Sequence, residues 1–173
     1  MTTLCPPSLP NPNYPIMSLN VGDVAPDFTL YSDEKEAWTL SEHRGKNVVL
    51  LFFPAAFSGT CTTELNTINN DLARFNSANA TVVGISTDSP FSLAEFKSVN
   101  ALNFPLLSDH EAETATLYSA KHNHDFSAMG FNRIAKRSVF VIDEEGTVIH
   151  REVLDNPGNE PDYEAITGAL EAA

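Results

Sequence analysis

Cysteine is almost absent: 173 residues hold only Cys5 and Cys61. Two thiols so far apart build no disulfide framework. They fit a reducing compartment, in which a cysteine is either inert filler or chemically employed. Positive charge is also scarce. Ten Lys and Arg stand against 23 Asp and Glu, a formal net charge of −13. Such a field repels nucleic acid and anionic lipid, so neither is an expected partner. No apolar run approaches the roughly 20 residues of a membrane span. The first twenty residues lack the basic and apolar regions of a signal peptide, and a cytoplasmic location is the expectation. No glycine-rich phosphate loop occurs, so no nucleotide cofactor is implied. His122-x-His124 has only Asp125 beside it as a further metal-type ligand and reads as loop, so no metal is implied either.

What is present divides at residue 20. Residues 1–20 carry no charged side chain and hold Pro6, Pro7, Pro10, Pro12 and Pro15, five of the chain's eleven prolines. Such a segment sustains neither helix nor central strand, and a disordered tail is expected, with Met17 a possible true start. Residues 21–173 read as one folded domain. Asn47–Phe53 is a continuous apolar run of the kind a strand buried on both faces requires. After Cys61 the period changes, with Leu65, Ile68, Leu72 and Phe75 at helical spacing. Residues 81–86 read as a second buried strand, and 89–102 as a helix capped by Ser89 with Pro90 in its first turn. A short strand near 105–107 and a helix over about 111–120 follow. Residues 138–143 and 147–153 flank Glu144-Glu145-Gly146 as a hairpin, and Pro161 opens a last helix. Alternating strands and helices imply parallel strands with right-handed crossovers, and the terminal hairpin makes the sheet mixed. The expected fold class is α/β, a three-layer sandwich around a central mixed sheet.

Cys61 stands where a strand ended by Pro54 gives way to a helix. Free backbone N–H groups and the helix dipole favour an anion there. Ser58 can donate a hydrogen bond to a thiolate from the preceding loop. No acidic residue lies between Leu51 and Thr63 in an otherwise acidic chain. A buried structural thiol is the plain alternative, but loops at the carboxyl ends of parallel strands are where open α/β sheets carry their sites.

Pro54-x-x-x-Ser58-x-x-Cys61 resembles the active-site signature of the peroxiredoxins, with Ser in the hydroxyl position. Residues 21–30 (VGDVAPDFTL) look like the family's opening, Gly45-Lys46-Asn47 like its lead-in to the first long strand, and 136–143 (KRSVFVID) like the segment carrying its active-site arginine, here Arg137. The resemblance implies a thioredoxin-like fold and reduction of hydrogen peroxide or organic hydroperoxides without a cofactor. It makes Cys61 the peroxidatic nucleophile, shielded by Pro54. Ser58 and Arg137 would hold the peroxide, and Glu64 would steer Arg137 from behind. In one large branch a resolving cysteine follows five residues later; here that position is Asn66, and no cysteine lies downstream of Cys61. The chain therefore resembles the one-cysteine, AhpE-like branch. It would need an external reductant: thioredoxin, a glutaredoxin-like protein or a low-molecular-weight thiol. A homodimer is expected by the same resemblance. The Gly-Gly-Leu-Gly motif of over-oxidation-sensitive members is missing, so comparative resistance to peroxide is expected. Two other readings remain open: a relay or sensor that passes oxidation from Cys61 to a partner protein, and a binding module with an inert cysteine.

Overall fold

A computed structural model describes residues 18–126 and 129–173. The expected tail, with Cys5 and Met17, lies outside the described residues except for its last three. Of these, Leu19 is already buried against the core, so packing begins ahead of Val21.

Seven strands form one mixed sheet in the order β2-β1-β5-β4-β3-β6-β7. They are β1 (Thr29–Ser32), β2 (Ala37–Thr39), β3 (Asn47–Phe52), β4 (Ala80–Ser86), β5 (Leu106–Ser108), β6 (Ser138–Ile142) and β7 (Val148–Val153). The helices are α1 (Gly59–Asn70), α2 (Leu72–Ser77), α3 (Pro90–Asn100), α4 (Glu113–Leu117) and α5 (Tyr163–Glu171), with a short 3-10 turn at Leu40–His43. Strands β3, β4 and β5 run parallel, while β6 pairs antiparallel with β3 and β1 with β5. Every residue of β3 is buried because both faces are covered. Val49, Leu51 and Phe53 face the layer of α1, α2, α3 and α5; Val48, Leu50 and Phe52 face Leu40, Ala115 and Tyr118.

Four local readings change. Strands β1 and β2 were not legible, because they are short, β2 lies at the edge of the sheet, and many of their side chains meet solvent. The helix expected from Cys61 through Phe75 breaks at Asp71, whose N–H is shared between the carbonyls of Thr67 and Ile68. The helix expected over 111–120 shrinks to α4. Ala112 sits at φ 58° before it and Ser119 at φ 55° after it, left-handed conformations that a continuing helix excludes. The last helix is capped by Asp162, which accepts from Ala165 N–H at 3.0 Å, and Pro161 precedes the cap. The Ser89 cap on α3 and the β6–β7 hairpin fall where the sequence places them.

Candidate active site

The site forms at the carboxyl end of β3. Phe53 continues the sheet by donating to Ile85 O at 2.9 Å, and buried Pro54 then turns the chain away. Ser58 has extended backbone, φ −73° and ψ 148°, and its carbonyl accepts from Thr62 N–H at 2.9 Å to start α1. Cys61 is thus the third helical residue, within the turn whose amides lack intrahelical partners. The loop is fixed from the neighbouring strand. Asp88, just past β4, accepts from Ala56 N–H at 2.8 Å and from the Ser86 hydroxyl at 2.7 Å. Its own carbonyl accepts from the Ser108 hydroxyl at 2.7 Å. Phe57 holds φ 66°, a costly conformation for an aromatic residue, and packs edge-on to Phe96 with ring centroids 5.1 Å apart. Asp88 was missed in the sequence; the available signal was an acidic residue directly after the carboxyl end of a buried strand.

The second half of the site arrives because β6 runs against β3. Phe52 pairs with Ser138, so the residue before β6 lies beside the end of β3. That residue is Arg137. Its Nη2 lies 3.5 Å from Cys61 Sγ and donates to Pro157 O at 2.9 Å, and its Nη1 donates to Glu64 Oε2. Glu64 follows Cys61 by three residues, which on a helix puts both side chains on one face. Cys61 and Glu64 are 0% exposed and Arg137 1%. The structure therefore brings Cys61, Arg137 and Glu64 into one buried cluster.

Ser58 differs from the expectation. It is half-buried, caps no helical amide, and makes no hydrogen bond to Cys61 among the described residues. The backbone carbonyl of Ser58 accepts from the amide and the hydroxyl of Thr62, which is the first bond of the helix.

Charge in this cluster is finely set. Burial pushes Glu64 up to about 7, with the Arg137 cation pulling the other way. Burial disfavours the Arg137 charge, yet Glu64 and Cys61 together hold its proton more tightly than usual. Both are consistent: desolvation penalises each ion, and the pairing rescues the cation more fully than the carboxylate. Glu64 Oε1 and Arg137 Nε are buried without a hydrogen-bond partner. Away from the site, His122 pairs with Asp125 at 3.0 Å, and no metal-type cluster of three or more ligands occurs among the described residues.

The site thus sets a helix-start cysteine beside a buried guanidinium on a strand–helix α/β scaffold. Residues 21–151 match the AhpC/TSA family, and the chain belongs to that family. Alkyl hydroperoxide reductase E of Mycobacterium tuberculosis is 36% identical over 159 residues, covering 89% of this chain and 97% of that protein. A putative peroxiredoxin of the same organism is 37% identical over 131 residues, covering 76% of this chain and 83% of that one. The crystal structure of peroxidoxin BcpB from Mycobacterium tuberculosis superposes with a TM-score of 0.77 at 30% identity, over 89% of this chain and 97% of that one. The fold is thioredoxin-like, and the protein is a thiol-dependent peroxidase: its substrate is a peroxide and its reductant a thiol. Asn66, at the resolving position, spends its side-chain N–H groups on Thr62 O at 2.9 Å and Asn100 Oδ1 at 3.2 Å. Cys61 is the one cysteine among the described residues, consistent with the one-cysteine branch.

Proposed function

We propose that Cys61 is the peroxidatic nucleophile and that Arg137 stabilises the oxygen that leaves. The Cys61 thiolate attacks the terminal oxygen of the peroxide in line with the O–O bond. A sulfenic acid forms on sulfur, and water or an alcohol departs. The observation that supports this most is the 3.5 Å separation of Arg137 Nη2 from Cys61 Sγ, across 76 residues of sequence. Arginine suits the task because it stays protonated and presents several fixed N–H vectors.

Thiolate formation alone does not make a fast peroxidase. A thiol lowered from about 8.5 to roughly 6 gains about 30-fold in thiolate at neutral pH. With a Brønsted slope of about 0.4–0.5 it loses roughly 10- to 18-fold in intrinsic nucleophilicity. The remaining acceleration comes from donors aimed at the departing oxygen, where negative charge grows. Arg137, the loop amides and the uncommitted hydroxyl of Ser58 are those donors. Pro54 keeps bulk water from the sulfur, and Glu64 and the Pro157 carbonyl aim the guanidinium. Substrate entry needs local opening, since Cys61 is fully covered.

The sulfenic acid is then reduced by an external thiol: thioredoxin, a glutaredoxin-like protein or a small cellular thiol. Both hydrogen peroxide and organic hydroperoxides are substrates in this reading, and the setting is the cytoplasm. Phe57 and Phe91, 56% and 71% exposed after the carboxyl ends of adjacent strands, support a homodimer on this face. Sedimentation velocity tests the assembly, with a single monomer species at all concentrations counting against it. Mass spectrometry under non-reducing conditions after one equivalent of peroxide tests the cycle. A lone sulfenic acid on Cys61 is expected, and a Cys5–Cys61 bridge contradicts the one-cysteine assignment.

A further inference from the structure

We infer that Glu64 is the proton reservoir of the peroxide reaction, protonated while Cys61 is a thiolate and ionised once the sulfur has become a sulfenic acid. This rests on Cys61 being the nucleophile, as proposed above, and adds a step to that reaction.

One cation serves two acids. Arg137 offers Nη2 to Cys61 and Nη1 to Glu64, and all three side chains are buried. A buried site holding two anions against one cation keeps an uncompensated charge, which burial strongly disfavours. A site that holds one anion at a time does not. The reaction itself decides which acid carries the charge, because a thiolate is an anion and a sulfenic acid is neutral.

The surroundings of Glu64 point the same way. On its own helix it faces Cys61, and from the start of β6 it faces Arg137, its cation. Glu152 on β7 and Glu160 ahead of α5 add negative charge that disfavours an ionised Glu64. Tyr163, at the start of α5, also lies within the influence of that carboxyl and donates its own hydroxyl to Glu160 at 2.7 Å. Glu64 Oε2 accepts from Arg137, while Oε1 has no partner among the described residues, so Arg137 is the one cation that compensates an ionised Glu64.

The step balances. A sulfur electron pair forms the S–O bond and the O–O bond breaks, its pair leaving with the departing oxygen. The hydrogen already on the attacked oxygen stays in the sulfenic acid. The departing alkoxide gains one proton and Glu64 loses one, so thiolate, hydroperoxide and carboxylic acid become sulfenic acid, alcohol and carboxylate. The charge of the site is unchanged, and Arg137 exchanges one anionic partner for the other.

The test counts protons in a single turnover. Reduced protein in weak buffer with a pH indicator receives one equivalent of hydrogen peroxide, while ultraviolet absorbance follows the thiolate in the same sample. Below about 7, where Glu64 holds its proton, the expected uptake from solvent per thiolate consumed is close to zero. It should climb towards one as pH rises beyond that, and be one throughout in Glu64→Gln. The infrared difference spectrum of the unsubstituted protein gives a second readout should that variant not fold: a protonated-carboxyl band should vanish on oxidation. An uptake of one at every pH, an unchanged carboxyl band, or no thiolate below the pH at which Glu64 ionises overturns the role of Glu64. A thiolate signal that peroxide fails to consume overturns instead the assignment of Cys61 as nucleophile.

Discussion

Arg137 divides one positive charge among a thiol, a carboxyl and a carbonyl, and Glu64 takes the largest consequence. Burial raises Glu64 from 4.5 to about 7, so the folded protein holds this proton more tightly than the unfolded chain does. A raised acid contributes stability that is complete below 4.5 and is lost as pH climbs through about 7. The loss is on the order of a few kcal/mol at about 1.4 kcal/mol per unit. Urea denaturation across that range should therefore show falling stability in the unsubstituted protein and a flatter profile in Glu64→Gln. Equal slopes would mean that the carboxylate is fully satisfied when ionised. Cys61 was legible from its place after Pro54. Arg137 was legible only through the resemblance, because composition and periodicity do not say which arginine crosses 76 residues to reach a sulfur. The failure of Ser58 to bond Cys61 was not legible, since neither residue type nor spacing fixes side-chain direction at a helix start.

Strand β3 and the loop after it owe their precision to an element far along the chain. Asp88 binds Ala56 N–H across 32 residues and ties the loop between β3 and α1 to β4 and β5. Asp88→Ala leaves the part-buried Ala56 amide and the Ser86 hydroxyl without their acceptor, at a cost of about 1–3 kcal/mol. It also frees the loop that carries Pro54 and Ser58, and misplacement by about 1 Å costs up to roughly 100-fold in rate. Chemical denaturation and stopped-flow oxidation should both respond; a changed stability with an unchanged oxidation rate would make Asp88 a fold determinant only. Long buried strands announced themselves because both faces are covered. The short strands β1 and β2 did not, with Thr29, Tyr31 and Ala37 exposed. The α1–α2 break at Asp71 was invisible too, for the apolar period runs across it unbroken.

At the scale of the whole molecule, a formal charge of −13 surrounds one buried guanidinium. The field leaves neutral peroxides untouched and repels anionic thiols, so added salt should speed reduction of the Cys61 sulfenic acid by an anionic thiol and leave a neutral one unaffected. A flat salt response for both would place the reductant's approach away from the acidic surface. The seven-stranded sheet sets the geometry on which everything else depends: antiparallel β6 delivers Arg137 to the spot where parallel β3 releases Cys61. Stopped-flow oxidation of Arg137→Ala by hydrogen peroxide, with the thiolate fraction read in the same sample, examines that delivery directly. The rate per thiolate should fall by about 100- to 1,000-fold, the range for losing a donor to a developing oxyanion. A rate that falls only in proportion to the thiolate fraction would show that Arg137 merely ionises the sulfur and does not stabilise the departing oxygen.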